Sequence, residues 1–364
     1  MTILRPLTTP TTRRAGPLPR STLLRHLLLA VVAGVGLFVL TGALEPFRNY
    51  QLATVAAYLC ATAGLTVLTG LNGQLSLGHG ALMATGAYTV ALTQNALADA
   101  GRPGGGYLLL SLALGVVVTV AAGAVIGAAA ARLRGPYLAG VTLAVAVVVP
   151  ALTTTFRGVL NSEQGLPVHL APAPEALGPY FPYERWQAWI AVTGALLTLV
   201  LLANLTRSRF GRNLRAVRDD EVAARLAGIH VGRTQVLAFV VSAGCAGLGG
   251  GLLAVLAQSV SPGAFSLTLS LYLLMAIVIG GLGSLAGALW GALLLVALPA
   301  ATHMITDLVD PPPAVAQRLD GNLSLAIFGV TLVVVMIAAP GGVQGLLRRA
   351  GRFVGARWRV PTGR

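Results

Sequence analysis

The sequence predicts an all-α polytopic membrane protein with about ten membrane segments, and three observations carry that prediction. First, 55% of the 364 residues are hydrophobic and only 10% are charged, whereas soluble domains average about 25% charged residues. Second, apolar runs near the ~20 residues needed to cross hydrocarbon recur along the chain. Third, the basic residues sort between alternate loops as the positive-inside rule requires.

Taken in order, residues 1–25 are rich in Pro, Thr and Arg and read as a disordered basic cytoplasmic tail. The first apolar run, Leu27–Leu44, exceeds the 7–15-residue core of a signal peptide and is expected to remain as a span. A transmembrane domain over 26–340 then contains spans near 26–44, 51–70, 79–98, 107–131, 137–156, 187–205, 235–257 and 324–339. One longer run, 268–300, is interrupted at Gly280-Gly281-Leu282-Gly283-Ser284. Residues 157–186, with five prolines, form the largest outer loop, 207–233 a polar cytoplasmic loop, and 341–364 a basic cytoplasmic tail.

With the N-terminus in the cytoplasm, 20 of the 25 arginines fall inside, leaving Arg48, Arg102, Arg157, Arg185 and Arg318 outside. A single span at 268–300 would put the arginine-rich C-terminus outside. Two short spans broken near Gly280–Ser284 restore parity; eight spans plus a re-entrant hairpin are the alternative.

All the basic residues are arginine; the chain has no lysine. That excludes a P-loop ATPase site here, because its phosphate-cradling motif ends in Gly-Lys-Ser/Thr. It also excludes a lysine Schiff base. The formal net charge of +14 is explained by topology, so no nucleic acid is expected. Cys60 and Cys245 sit singly in apolar spans, and neither a disulfide nor a metal site is indicated.

The run Gly70–Tyr88 places Asn72, Gln74, Ser76 and His79 among glycines inside otherwise apolar sequence. An unsatisfied polar group in hydrocarbon costs several kcal/mol, so a broken polar segment survives only against protein or a watery cavity. Such a break points to a translocation pathway, with Asn72, Gln74, Ser76 and His79 lining it and Gly280, Gly281, Gly283 and Ser284 as a second flexible wall. A plain polar loop between spans is the other reading. The two breaks share a loose likeness that fits a two-repeat transporter but is too short to establish one.

The 45 glycines exceed the usual ~7%, and the pairs Gly123/Gly127 and Gly247/Gly251 and the triplet Gly283/Gly287/Gly291 recur at four-residue spacing. Small-xxx-small stripes let helix backbones approach closely, and internal packing explains them better than homodimerisation.

In the 207–233 loop, Asp219 or Asp220 suits the N-terminus of a short helix, Glu221 and Arg225 stand at i,i+4 in the favourable order, and Gly228 offers a stop. With Arg212, Arg215 and Arg218 nearby, the loop reads as a docking element for a cytoplasmic partner rather than a solvated connection.

GLNGQLSLGHGALMATGAYTVAL at 70–92, RGPYLAGVTLA at 134–144, the 210–252 stretch beginning FGRNLRAVRDDEVAARLAGIHVGR, LLMAIVIGGLGSLAGALWGALLL at 273–295 and APGGVQGLL at 339–347 occur in fixed order. In these stretches the chain resembles the LivM-type permease subunits of branched-chain amino acid ABC importers. The resemblance implies the ABC importer permease fold in a bacterial inner membrane, with both termini cytoplasmic. It implies a second, LivH-type permease subunit, two ATPase subunits binding ATP and Mg, and an extracytoplasmic solute-binding protein. The helix at Asp219–Gly228 would be the coupling helix in an ATPase groove. Two departures stand out: Glu221 to Gly228 is one residue longer than the general permease pattern, and Asn161–Leu166 replaces a Thr-Gly-Gly-rich stretch. The family also serves urea and short amides.

Two rivals remain at this level. A proton-coupled secondary transporter normally needs buried carboxylates, and no acid lies centrally in a span; sodium coupling through backbone carbonyls stays open. An enzyme needs a paired base and nucleophile or a metal cluster, and the five histidines are scattered, so no catalytic residue is assigned.

Overall fold

The computed structural model describes residues 22–357, apart from 102–104, 134–135, 162–163, 171–172, 179 and 310–312. Each apolar segment read from the sequence coincides with a helix. These are α1 (Thr22–Ala43), α2 (Pro46–Leu65), α3 (His79–Asp99), α4 (Gly105–Ala130), α5 (Pro136–Thr155), a short α6 (Arg157–Leu160) and α7 (Tyr183–Arg207). After two helices of the 207–233 loop, α8 (Arg209–Asp219) and α9 (Glu221–Leu226), follow α10 (Val231–Ala257), α11 (Leu267–Gly280), α12 (Leu285–Val309), α13 (Pro313–Ala338) and α14 (Gly342–Arg357). Eight helices among the described residues are long and apolar enough to cross a membrane. α3 is not one of them, and α12 contributes a shorter apolar stretch, Leu285–Ala301.

α3 escapes the apolar criterion because protein, not lipid, covers it. It packs between α4, α10 and α11, and most of its residues from His79 to Ala91 are buried. A helix sheathed by neighbours tolerates polar residues that a lipid-facing one does not. By contrast α1, apolar all round, touches chiefly α7 and leaves Val32, Val35 and Val39 exposed.

α10 is the central post, against which α2, α3 and α4 lie. Glycine makes the contacts close. A Cβ on Gly250 would fall on the Met83 carbonyl oxygen, and one on Gly247 would lie 2.6 Å from Thr119 Cβ. On the facing stripe, a Cβ at Gly127 would lie 2.8 Å from that of Phe239. The stripes therefore serve internal packing, as their spacing predicts.

The long apolar run splits where glycine allows. α11 ends at Gly280, Gly281 (φ +123) and Gly283 (φ +77) turn the chain, and α12 runs back along α11. Gly291 closes the hairpin, its would-be Cβ 2.7 Å from the Ala276 carbonyl oxygen. At the opposite end, two short strands, β1 (Leu166–Pro167) and β2 (Ser259–Val260), pair antiparallel. Asn95 at the end of α3 clasps that loop, donating to the Pro167 carbonyl at 2.7 Å and accepting from His169 N at 2.9 Å. The sequence reading left this loop without a defined element. It also gave 341–364 only as a tail, whereas α14 occupies 342–357. Of residues 1–25, expected to be disordered, 22–25 instead begin α1, whose helix starts before the apolar run, and the first 21 lie outside the described residues.

Candidate functional site

α2 does not stop at Leu65. Thr66–Leu71 continues it as a π-helical turn. Together these 26 residues span roughly 39 Å at 1.5 Å per residue, more than the ~30 Å of hydrocarbon. Wide turns of this kind recur at functional sites, and no signal in the sequence marks this one.

The chain then turns back. Gly73 takes φ +77, and Asn72–Gly78 runs irregularly to the start of α3. Three helices hold this segment. Leu77 N donates to the Thr142 hydroxyl of α5 at 3.0 Å, and Gly80 N to the Ser270 hydroxyl of α11 at 2.9 Å. His79 Nε2 lies 3.2 Å from the Ser242 hydroxyl of α10. Since Ser242 is eleven residues into α10, roughly 16 Å from its start, α3 begins well inside the bundle.

The segment is buried but not satisfied. Asn72 Nδ2 donates to Gln74 Oε1 at 2.7 Å, and Thr69 Oγ1 to the Gln74 carbonyl at 3.0 Å. Yet Asn72 Oδ1, Gln74 Nε2, Ser76 Oγ and His79 Nδ1 have no hydrogen-bond partner among the described residues, and His79 is 0% exposed. Each such orphan costs about 1–3 kcal/mol. Four within eight residues is a concentration that packing alone does not explain.

The two breaks that the sequence set apart meet. A Cβ on Gly70 would lie 2.8 Å from Gly283 Cα, so backbone touches backbone. Gly281 is covered in turn by α14: a Cβ on Gly342 would lie 2.7 Å from Gly281 Cα. Trp290 Nε1 donates to Gln344 Oε1 at 3.2 Å, and Arg348 Nη2 to the Ser284 hydroxyl at 3.2 Å. Gly280 itself belongs to α11, where its missing side chain admits Gly287.

The 207–233 loop stands at the same end. It folds as two helices rather than one. Ser208 caps α8, its hydroxyl accepting from Phe210 N at 3.1 Å, and Gly211, Leu214 and Val217 form the buried face. That serine followed by apolar residues three apart is the signal from which α8 was legible. Of the two candidate acids, Asp220 caps α9: its Oδ1 accepts from Val222 N at 2.8 Å and Ala223 N at 3.0 Å. Asp219 ends α8 and is exposed. Gly228 (φ +80) stops α9, with Ile229 N bonded to the Ala224 carbonyl and Gly228 N to that of Arg225, the paired bonds of a Schellman turn. Replacing Asp220 by alanine should destabilise α9 by about 1 kcal/mol, read as faster amide exchange at 222 and 223.

The remaining loop residues divide between two directions. Glu221 binds inward, accepting from Gln235 Nε2 of α10 at 3.1 Å, and lies 3.7 Å from Arg225 as the i,i+4 pair predicts. Arg215 turns back to the Thr206 carbonyl at 2.9 Å, and Arg218 donates to the Gly70 carbonyl. All three arginines, Arg212 included, remain exposed. Outward, α9 presents Val222, 66% exposed, and Leu226, 86% exposed, one turn apart. The charges of this loop are what the sequence singles out; the exposure of these two apolar side chains is seen only in the structure.

The class is that of a polytopic helical membrane protein with a buried, broken polar segment at the heart of its bundle. The profile of the branched-chain amino acid transport system permease component matches residues 47–336, and the chain belongs to that family. It is 30% identical over 314 residues to the high-affinity branched-chain amino acid permease protein LivM of Salmonella typhimurium, covering 80% of this chain and 68% of the relative. BraD of Pseudomonas aeruginosa, also a high-affinity branched-chain amino acid permease protein, is 27% identical over 66% of this chain and 80% of its own. The autoinducer 2 import permease protein LsrC of Klebsiella pneumoniae is 30% identical over 74% of this chain and 76% of its own. No solved structure gives a significant match.

Proposed function

We propose that this chain is the membrane-spanning permease subunit of an ABC importer, moving branched-chain amino acids or related small polar solutes inward across a bacterial inner membrane. The observation that carries the reading is the run of four orphaned polar atoms at Asn72, Gln74, Ser76 and His79, buried inside the helical bundle of a chain of this permease family. Transport proceeds by alternating access. ATP and Mg belong to two separate ATPase subunits, because a chain without lysine has no P-loop. A second, LivH-type permease completes the membrane part, and an extracytoplasmic binding protein delivers solute.

The end carrying α8 and α9 is cytoplasmic, as is each terminus. Val222 and Leu226 face the ATPase, and closure of the ATPase dimer moves α9 and opens the polar segment towards the loaded binding protein. Because similar permeases are named for amino acids and for autoinducer 2, the choice of solute rests chiefly with the binding protein.

Gln74→Ala and His79→Leu should each lower solute uptake by membrane vesicles by roughly tenfold, the cost of one or two lost polar contacts. Recovery of the assembled complex should stay at the wild-type level. Normal uptake by both variants would remove this segment from the pathway.

A further inference from the structure

The carbonyl of Gly70 lies at the end of the π-helical turn, where the following amides turn elsewhere: Gly73 N bonds to the Thr69 carbonyl and Gln74 N to that of Leu68. Arg218 of α8 fills the gap, donating from Nη1 to Gly70. Its stem lies flat on the turn, since a Cβ added to Gly73 would stand 3.2 Å from Arg218 Cγ. A cation at a helix C-terminus is also favoured by the helix dipole. Gly70 is the residue that touches Gly283. One side chain thus reaches from the cytoplasmic loop to the residue that joins the two breaks.

What lies behind Arg218 matters as much. It sits in the last turn of α8, and Asp220, which closes α8, also opens α9 with its side chain. There is no slack between the two helices. A push on the exposed Val222–Leu226 face must therefore displace the last turn of α8. The second break is held otherwise, by Arg348 and Gly342 of α14. A displacement of α9 therefore reaches one side of the Gly70–Gly283 contact through Arg218, while α14 holds the other.

We infer that Arg218 is the joint that transmits movement of the docking helix to the first break, parting Gly70 from Gly283. It is a positioning residue: the exposed side chain acts on the break through its bond to the Gly70 carbonyl. The inference rests on the reading of α9 as the ATPase dock.

The test uses the complete complex, with its ATPases and binding protein, in proteoliposomes. Arg218→Ala should keep the ATPases bound and hydrolysing ATP at the wild-type rate, while solute taken up per ATP falls roughly tenfold, as expected when one charge-assisted hydrogen bond is lost. Arg218→Lys, which retains a donor on a flexible stem, should recover much of that ratio. A cysteine pair at Leu71 and Leu282, in a background without Cys60 and Cys245, reads the contact directly. Cross-linking should change with nucleotide in the wild type and stay fixed in Arg218→Ala.

Wild-type stoichiometry in Arg218→Ala would overturn the inference while leaving the importer reading intact. Loss of the ATPases from that variant would overturn it too, by making Arg218 a docking residue. Uptake by the unmodified complex that ignores ATP would remove the importer reading itself, and the inference with it.

Discussion

Replacing Val222 and Leu226 together by aspartate is expected to release the ATPase subunits from the permease and abolish ATP-driven uptake. Both side chains stand one turn apart on one face of α9, 66% and 86% exposed, and an adjacent apolar pair among charged residues offers a partner an anchor. Apolar anchors at an interface centre are worth about 2 kcal/mol or more each. Losing two lowers affinity roughly a thousandfold. The fold should survive, because the buried side of the loop is a different set of residues, Leu214, Val217 and Ala224. Pull-down of the ATPases with a tagged permease checks this. Undiminished recovery would move the dock away from α9.

Gly250→Leu should have the larger effect on the molecule itself. A side chain there must enter the Met83 carbonyl, and its neighbour Gly86 lies equally close to Gly247, so the seam between α3 and α10 has no slack. Overpacking usually costs 1–3 kcal/mol, and here the obstruction is backbone rather than a flexible side-chain tip. A loss of about 3 kcal/mol or more is expected, seen as aggregation on extraction in mild detergent. Gly140→Leu on α5, where nothing lies within 4 Å of an added Cβ, is the tolerated counterpart.

The two substitutions separate what was legible in the sequence from what was not. Helix positions followed from apolar runs, because hydrocarbon imposes length and composition on anything that faces it. Even the break at Gly281–Ser284 followed, from arginine parity. The glycine seam was legible in part: Gly247 and Gly251, four apart, mark close packing on α10, whereas Gly250 and Gly86 carry no such glycine spacing and show their role only in the contact.

The site was legible only in outline. Polar residues at 72–79 announced themselves by contrast, but their neighbours Thr142, Ser242 and Ser270 come from helices far along the chain. Nothing local in those helices marks them. The loop was half read: Asp220, Glu221 and Gly228 act as capping rules predict. Arg215 and Arg218, grouped with the docking charges, also bind carbonyls within the chain. Capping is a local preference; which carbonyl an arginine reaches depends on what tertiary packing brings beside it. Val222 and Leu226 went unnoticed because apolar residues in a membrane protein attract attention only once their exposure is known.

The central claim is that solute movement through this chain is driven by partner ATPases. The most direct measurement is uptake of radiolabelled leucine into proteoliposomes holding the permease pair, the ATPases and binding protein, with ATP or a non-hydrolysable analogue inside the liposomes' ATPase-facing side. The account predicts accumulation with ATP, none with the analogue, and none when Val222→Asp/Leu226→Asp replaces the wild type. Equal uptake under all three conditions, or uptake by this chain reconstituted alone, would contradict it.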